Sequence, residues 1–390
     1  MKEREYWIDY LRSFIILTVV IHHATLAYTT FAYFNKEVYI LSTHPIVDVQ
    51  RWMGFDRLVY FNDIFFMSLL FLISGFFVIS SLKRKGARSF ISDRFRRLFV
   101  PFIFGVTLIA LLEYYPSYIY SHEDKNIFNY IVDFLTIEYW PPGPAWFLWV
   151  LFIYNLIFVW LFPRIKVFLD RLGESLLSLN NKPVLLIAGW FIITWILYVP
   201  MRLLFGPEGW VSLGPFDFQI SRFLLYAGYF MLGTIIGTIP FEKGLLSDES
   251  IYMRKWPLFI FLSFAAFSLL ILIEFPLRRL ADAGRISGSL SNFIYCSIFV
   301  ASCIFSCTAY LTTAKAFLRR RMKFWDNITV NSFTIYLIHY TFVIWGQYIL
   351  LEFALPAFIK FMIVTFSSIF LSFSISHYLN KNKIISRYLC

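Results

Sequence analysis

Ile8–Tyr28 reads IDYLRSFIILTVVIHHATLAY, an apolar run broken only by Asp9 and Arg12 near its start and by His22 and His23 beyond its middle. A run of this length and apolarity predicts a membrane-crossing helix. Arg12 and His23 are 11 residues apart, which at 100° per residue is about 20° past three full turns, so both side chains lie on one face. The helix rise between them is roughly 16 Å, and Asp9 is about 40° off the same line. His22 points about 100° away from His23. Ionisable groups at bilayer depth are costly and usually face a bundle interior or a water-filled cavity. On this helix alone His23 has two readings: a packing histidine hydrogen-bonded to a neighbouring helix, or a functional group aimed into a cavity.

The whole chain has the composition of a membrane protein. Of 390 residues 59% are hydrophobic, 21% aromatic and 15% charged, and 47 are Phe. The mean hydropathy is +0.67. Such a balance excludes an ordinary soluble domain. The net charge of +11 comes from basic residues in short loops between apolar segments, so it sets topology rather than binding nucleic acid. The first helix runs on past His23 without a small-residue cleavage site and reads as a retained span. The four cysteines form no metal or redox pattern, and Cys296, Cys303 and Cys307 read as small packing residues on one helix.

Working outward, about ten segments are long and apolar enough to span. They are Ser13–Phe34, Ile64–Leu82, Leu98–Tyr115, Pro144–Phe162, Pro183–Leu204, Ile220–Ile239, Trp256–Glu274, Leu290–Thr312, Asn331–Leu351 and Pro356–Leu379. With the N-terminus inside, 25 of the 35 Lys and Arg fall on the cytoplasmic side, 7 on the outer side and 3 (Arg202, Arg222, Lys360) at or inside helix ends. That asymmetry predicts an all-α polytopic protein with both termini cytoplasmic. Residues 1–390 form a single membrane-embedded domain, with no repeat or separate soluble unit visible.

Three arginines meet at one level in this arrangement. Arg12 begins the first helix, while Arg94 and Arg97 immediately precede the third. A guanidinium cluster there suits phosphate oxygens, although positive-inside charge against anionic lipid has the same pattern. Arg96 and the Lys83–Arg88 group read as such topology charge. Ser74 and Gly75 form a small pair that admits another helix, the first one being the expected neighbour. His339 lies mid-membrane on the ninth helix. His377 reads as structural. The outer loops carry His44, His122, Glu123, Asp124, Asp133 and Glu138, and the stretch Glu138–Trp146 (EYWPPGPAW) enters the fourth helix. Trp140 and Trp146 have chemistry that also suits stacking on sugar rings, but at this level the interface-anchor reading is favoured. No hydrolase-type nucleophile, P-loop or nucleotide fingerprint is present.

Taken in order, five of these features resemble the membrane-bound acyltransferase-3 family, in particular its stand-alone members similar to glucan succinyltransferases of bacterial envelopes. They are Arg12 and His23 with Asp9 before them, the segment ending at Ser74 and Gly75, Arg94 and Arg97 before Leu98 and Pro101, Trp146–Leu148, and Tyr336–His339. Trp149 stands where related members often carry an acid. The resemblance implies transfer of an acyl group, acetyl or succinyl, from cytoplasmic acyl-CoA to a hydroxyl of an envelope glycan or glycolipid outside a bacterial cytoplasmic membrane. No permanent cofactor and no metal is implied; acyl-CoA is a co-substrate, and a separate envelope protein is a possible partner in the transfer. In that reading Arg12, Arg94, Arg97 and Ser74 bind the CoA, His23 is the general base, Asp9 orients Arg12, His339 assists, and Trp140 and Trp146 meet the acceptor. A transporter or flippase, or a non-catalytic scaffold of envelope-polymer assembly, are the rival readings.

Overall fold

A chain in hydrocarbon must pair its own backbone polar groups, and helices do so within each segment. The computed structural model describes residues 5–141, 143–207 and 209–382. Lys2, Arg4, Lys383 and Arg387, which contribute to the charge asymmetry, and Pro142 of the aromatic turn lie outside the described residues. The helices are α1 (Tyr6–Leu26), α2 (Met53–Lys85), α3 (Ala87–His122), α4 (Ile127–Thr136), α5 (Gly143–Ser178) and α6 (Pro183–Phe205). After a two-stranded antiparallel ribbon, β1 (Trp210–Val211) and β2 (Phe218–Gln219), come α7 (Ile220–Ile236), α8 (Trp256–Asp282), α9 (Gly288–Phe317), α10 (Lys323–Leu350) and α11 (Ala357–Leu379).

Eight of these helices are long and apolar enough to cross a membrane: α2, α3, α5, α6 and α8 to α11. The chain is therefore an all-α, multi-pass membrane protein. Two expected spans fall outside that set. α7 has 17 residues, and α1 is diluted by Asp9, Arg12 and two histidines. The first expected span also differs in extent, since α1 begins at Tyr6 and stops at Leu26 rather than Phe34.

The reason for the early stop is visible in its last carbonyls. Gln347 Nε2 donates to the carbonyls of His23 and Ala24, each at 3.2 Å. The backbone N–H of Asp48 reaches Ala27 O and that of Trp52 reaches Tyr28 O, both at 3.0 Å. A helix whose terminal acceptors are satisfied from outside has no need of another turn. The loop that supplies these donors is pinned in turn by Lys360, whose Nζ donates to Asp48 Oδ2 at 2.6 Å with both side chains sealed from solvent.

α1 sits centrally, packed by α2, α9, α10 and α11. Its contacts with α10 keep one register: Tyr10 with Asp326 (2.7 Å), Ser13 with Thr329 (3.0 Å) and His23 with His339 (2.9 Å), always 316 residues apart. The constant offset means that the two helices run parallel. α2 and α7 meet backbone to backbone. A Cβ at Gly75 would strike the Phe230 carbonyl, one at Gly233 the Leu72 carbonyl and one at Gly237 the Phe76 carbonyl. Gly233 and Gly237 form the small-xxx-small spacing that lets membrane helices touch. Ser74–Gly75 was expected to let α2 pack against α1, and the two helices do pack together; Gly75 itself meets α7, where Gly233 and Gly237 give the backbones room.

Freed carbonyls elsewhere are met by indole N–H groups. Pro116 has no N–H for Leu112 O, and Trp345 Nε1 takes that oxygen at 2.9 Å. α3 widens into π turns at Phe95–Phe99 and Gly105–Ile109, and Trp140 Nε1 donates to Val106 O in the second, at 2.7 Å. The buried thiols behave as packing groups: Cys303 accepts from Tyr229 Oη at 3.0 Å.

Gly233→Val should lower the thermal midpoint in detergent, with a destabilisation of about 3 kcal/mol from overpacking against Leu72. Gly189→Ala, where a Cβ meets nothing within 4 Å, should leave the midpoint unchanged.

Candidate active site

The parallel register of α1 and α10 brings two mid-bundle histidines together. His23 Nδ1 lies 2.9 Å from His339 Nε2. His339 is fully buried, and its Nδ1 faces two carbonyls of its own helix, Tyr336 O at 2.7 Å and Ile335 O at 3.2 Å. Facing only acceptors, that nitrogen must carry the proton. In the neutral ring Nε2 of His339 is then an acceptor, so His23 Nδ1 donates to it. The network thereby assigns the tautomer of His23 and leaves its Nε2 as the unprotonated, basic nitrogen. This is the arrangement a general base needs: a lone pair on one ring nitrogen, held in direction by a partner on the other.

A second relay abuts the first. The edge of Tyr340 meets the His23 ring, with centroids 4.9 Å apart. Because the Gln347 amide spends its NH₂ on the two α1 carbonyls, its Oε1 faces His44 Nε2 at 2.7 Å. His44 therefore donates from Nε2, and its Nδ1 accepts from Tyr340 Oη at 3.3 Å. Burial pushes the His44 imidazole down to about 4, so it is neutral near pH 7, as this relay requires. Sequence reasoning passed over Tyr340 and Gln347. The one available signal was their position on the His339 helix, Tyr340 next in sequence and Gln347 two turns on.

Towards the Tyr6 end of α1 the bundle opens into a cavity of about 330 Å³. Asp9, Arg12, Ser74, Arg94 and Arg97 all line it, together with Asn155 and Tyr336. It shares Asp9, Arg12, Phe77, Arg94 and Arg97 with a wider opening of about 650 Å³, which adds Arg84 and Lys85. Five of the residues singled out in the sequence thus meet in one basic recess. Arg84 and Lys85, read from sequence as topology charge, belong to it as well. Their placement depends on the bend after Gly75, which the sequence does not announce. Asp9 Oδ1 stands 3.8 Å from an Arg12 nitrogen, and the Arg94 guanidinium lies over the Phe90 ring at 4.9 Å. Lys85 pairs with Asp93. Ile16, Phe147 and Tyr336 also line the recess, and the Tyr336 ring is 6.2 Å from that of His339.

Other expected residues lie apart from the histidine pair. Trp146 packs its ring against Tyr226 (5.9 Å) and Trp210 (5.8 Å). Trp140 has its N–H committed to Val106 O and its ring against Phe134 at 5.6 Å. Trp149 donates to Asp217 O at 3.0 Å. His22, by contrast, packs on Phe66 at 5.0 Å and stands edge-on to the His23 ring, with centroids 5.5 Å apart, while His377 lies against Phe373. Among the described residues no group of three or more His, Cys, Asp or Glu is placed to hold a metal ion.

Asp48→Ala should destabilise the protein by about 3–5 kcal/mol, because it leaves the Lys360 ammonium buried without its counter-charge. Asp48→Ala combined with Lys360→Met should recover most of that loss in a thermal-melt cycle. Additive losses in the double variant would mean that the two residues act independently.

Residues 5–377 match the acyltransferase-3 family model, an acyltransferase domain. Curated relatives include the glucans biosynthesis protein C of Shigella dysenteriae serotype 1 (strain Sd197) and that of Escherichia coli O157:H7. Each is 25% identical over 264 residues, covering 64% of this chain. The match spans 62% of the length of those relatives. No solved structure matches. With the family model covering nearly the whole described chain, this protein belongs to the acyltransferase-3 family.

Proposed function

We propose that the protein transfers an acyl group from acyl-CoA on the arginine side of the membrane to a hydroxyl of an envelope glycan or glycolipid on the other side. The observation that carries this reading is the His23–His339 hydrogen bond. It leaves a basic Nε2 on a residue about 16 Å along α1 from Arg12, whose side chain lines the basic recess. The arginine side would be the cytoplasm and the membrane a bacterial cytoplasmic membrane, in keeping with the charge asymmetry.

In this mechanism Arg12, Arg94 and Arg97 hold the CoA phosphates at the recess, with Asp9 steering Arg12 and Ser74 on the recess wall. The pantetheine arm follows Ile16 towards Tyr336 and brings the thioester near the imidazole. His23 Nε2 removes the proton from the acceptor hydroxyl as its oxygen bonds to the thioester carbonyl carbon. The C–S bond then breaks, and the imidazolium returns the proton to the leaving thiolate. The products are the acyl ester and CoA thiol. His339 positions His23 and accepts its Nδ1–H throughout, so the positive charge that develops on His23 is shared through a hydrogen bond. Trp140, with its N–H committed to Val106 O, can offer an acceptor only its ring. The curated relatives are named for glucan biosynthesis, which makes a glucose polymer the first acceptor to test. Acetyl and succinyl donors both suit the recess.

Acetyl-CoA or succinyl-CoA should raise the melting temperature of the purified protein, and Arg12→Ala and Arg97→Ala should each abolish that shift. His23→Ala should keep the shift but lower acyl transfer by about 10²–10⁴-fold. Full transfer by His23→Ala at normal protein levels would refute the base assignment. Absence of any acyl-CoA shift in the wild type would instead favour a transporter or a scaffold.

A further inference from the structure

The wider opening of about 650 Å³ has no part in the transfer step described above. Its wall joins the inner end of α2, with Phe77, Arg84 and Lys85, to the stretch after α7, with Phe241 and Glu242. Asp9, Arg12, Phe77, Arg94 and Arg97 line both this chamber and the recess of about 330 Å³, so they stand where the two spaces meet. Most of the charge around the chamber is already matched. Lys85 pairs with Asp93, and Asp9 stands beside Arg12. Glu5 accepts the Trp7 indole N–H at 2.6 Å and lies 3.7 Å from the Lys315 ammonium. Among the described residues Arg84 and Glu242 form no ion pair. In the same wall the rings of Phe77 and Phe241 meet edge to face, with centroids 5.8 Å apart.

The order of groups along CoA decides what lies here. The thioester is followed by the pantetheine arm, then a diphosphate, then adenosine carrying a 3′-phosphate. With the thioester towards His23 and the diphosphate on the arginines shared by both spaces, the arm occupies the inner recess. The nucleoside is then left with the outer chamber. The chemistry of that chamber agrees. Every base has a π face that stacks on aromatic rings, and Phe77 and Phe241 supply them. The exocyclic amine of adenine is a donor, which suits the unpaired Glu242 beside Phe241. The 3′-phosphate is an anion that a planar guanidinium can hold with two parallel N–H groups. Arg84 is the cation in the wall without a carboxylate of its own.

We propose that the outer chamber is the nucleotide subsite of the donor, in which Arg84 binds the ribose 3′-phosphate and the Phe77–Phe241 wall holds the adenine. The proposal rests on the acyl-CoA reading above and narrows it. The donor class becomes acyl thioesters of a 3′-phosphorylated adenine nucleotide. The same acyl group on the phosphopantetheine of a carrier protein brings one phosphate and no nucleoside. Such a donor leaves the chamber unfilled and binds more weakly. Arg84 also gains a role that a topology charge does not have: its loss is felt only by a ligand that carries the 3′-phosphate.

The test compares acetyl-CoA with 3′-dephospho-acetyl-CoA by thermal-shift titration of the purified full-length protein in nanodiscs. The wild type should bind the dephospho form about tenfold or more weakly, the scale of a lost charge-assisted hydrogen bond. Arg84→Gln should lower the affinity for acetyl-CoA to that level and leave the affinity for the dephospho form unchanged. Phe241→Ala should weaken both ligands alike, since stacking does not involve the 3′-phosphate; no effect on either overturns the adenine placement. Equal affinities in the wild type overturn the proposal, as does a discrimination that survives Arg84→Gln. Equal weakening of both ligands by Arg84→Gln also overturns it, because Arg84 would then be a general attractor of anions. If the wild type shows no shift with acetyl-CoA, the acyl-CoA reading fails, and adenosine 3′,5′-bisphosphate decides the subsite by itself. A shift that Arg84→Gln removes keeps the subsite; a shift that persists in the variant, or is absent in the wild type, overturns it.

Discussion

The hydrogen bond from His23 to His339 is the contact on which the geometry of the bundle centre depends. Helices in lipid gain little from hydrophobic association, so their register is set by packing and by specific polar contacts. Three such contacts hold α1 parallel to α10 at one offset. A slip of one residue would rotate His23 by about 100° and break all three together. The register does more than hold helices. It turns His339 so that one nitrogen is committed to backbone carbonyls, and through the other it selects the tautomer of His23. Packing and acid–base chemistry are here one interaction.

Backbone satisfaction governs the rest. At two places where a proline or a widened turn frees a carbonyl, an indole from elsewhere in the chain donates to it: Trp345 to Leu112 O and Trp140 to Val106 O. In hydrocarbon an unmet carbonyl costs several kcal/mol, which makes these indoles structural before they are anything else. Gln347 is the most consequential case. By capping α1 at His23 and Ala24 it ends the helix and orients its own oxygen onto His44. The cap that stops α1 thus also aligns the tyrosine beside His23.

The two ends of the bundle differ in chemistry. One end gathers Arg12, Arg84, Arg94 and Arg97 around a recess. The other holds Glu113 and His44, both buried, among tyrosine rings. Anions are favoured at the arginine end.

Most of the first-order picture was legible from residues alone. Apolar runs of spanning length marked the helices, because hydrocarbon enforces that pattern locally. The 11-residue spacing placed Arg12 and His23 on one face, because helix periodicity is a local rule. The family resemblance rested on motifs that keep their order along the chain, and the family model covers that same span. What sequence could not supply was anything that depends on which helix lies beside which. The first span stops at Leu26 because Gln347, more than 300 residues away, caps it. Gly75 met α7 rather than α1 because two glycines on α7 leave room for its backbone. His339 became the partner of His23, and Glu113 a buried carboxyl, only once α10 packed against both α1 and α3. Periodicity and apolarity act within a helix and can be read from its sequence. Tautomer, register and the burial of a lone acid arise between helices, so only the tertiary structure decided them.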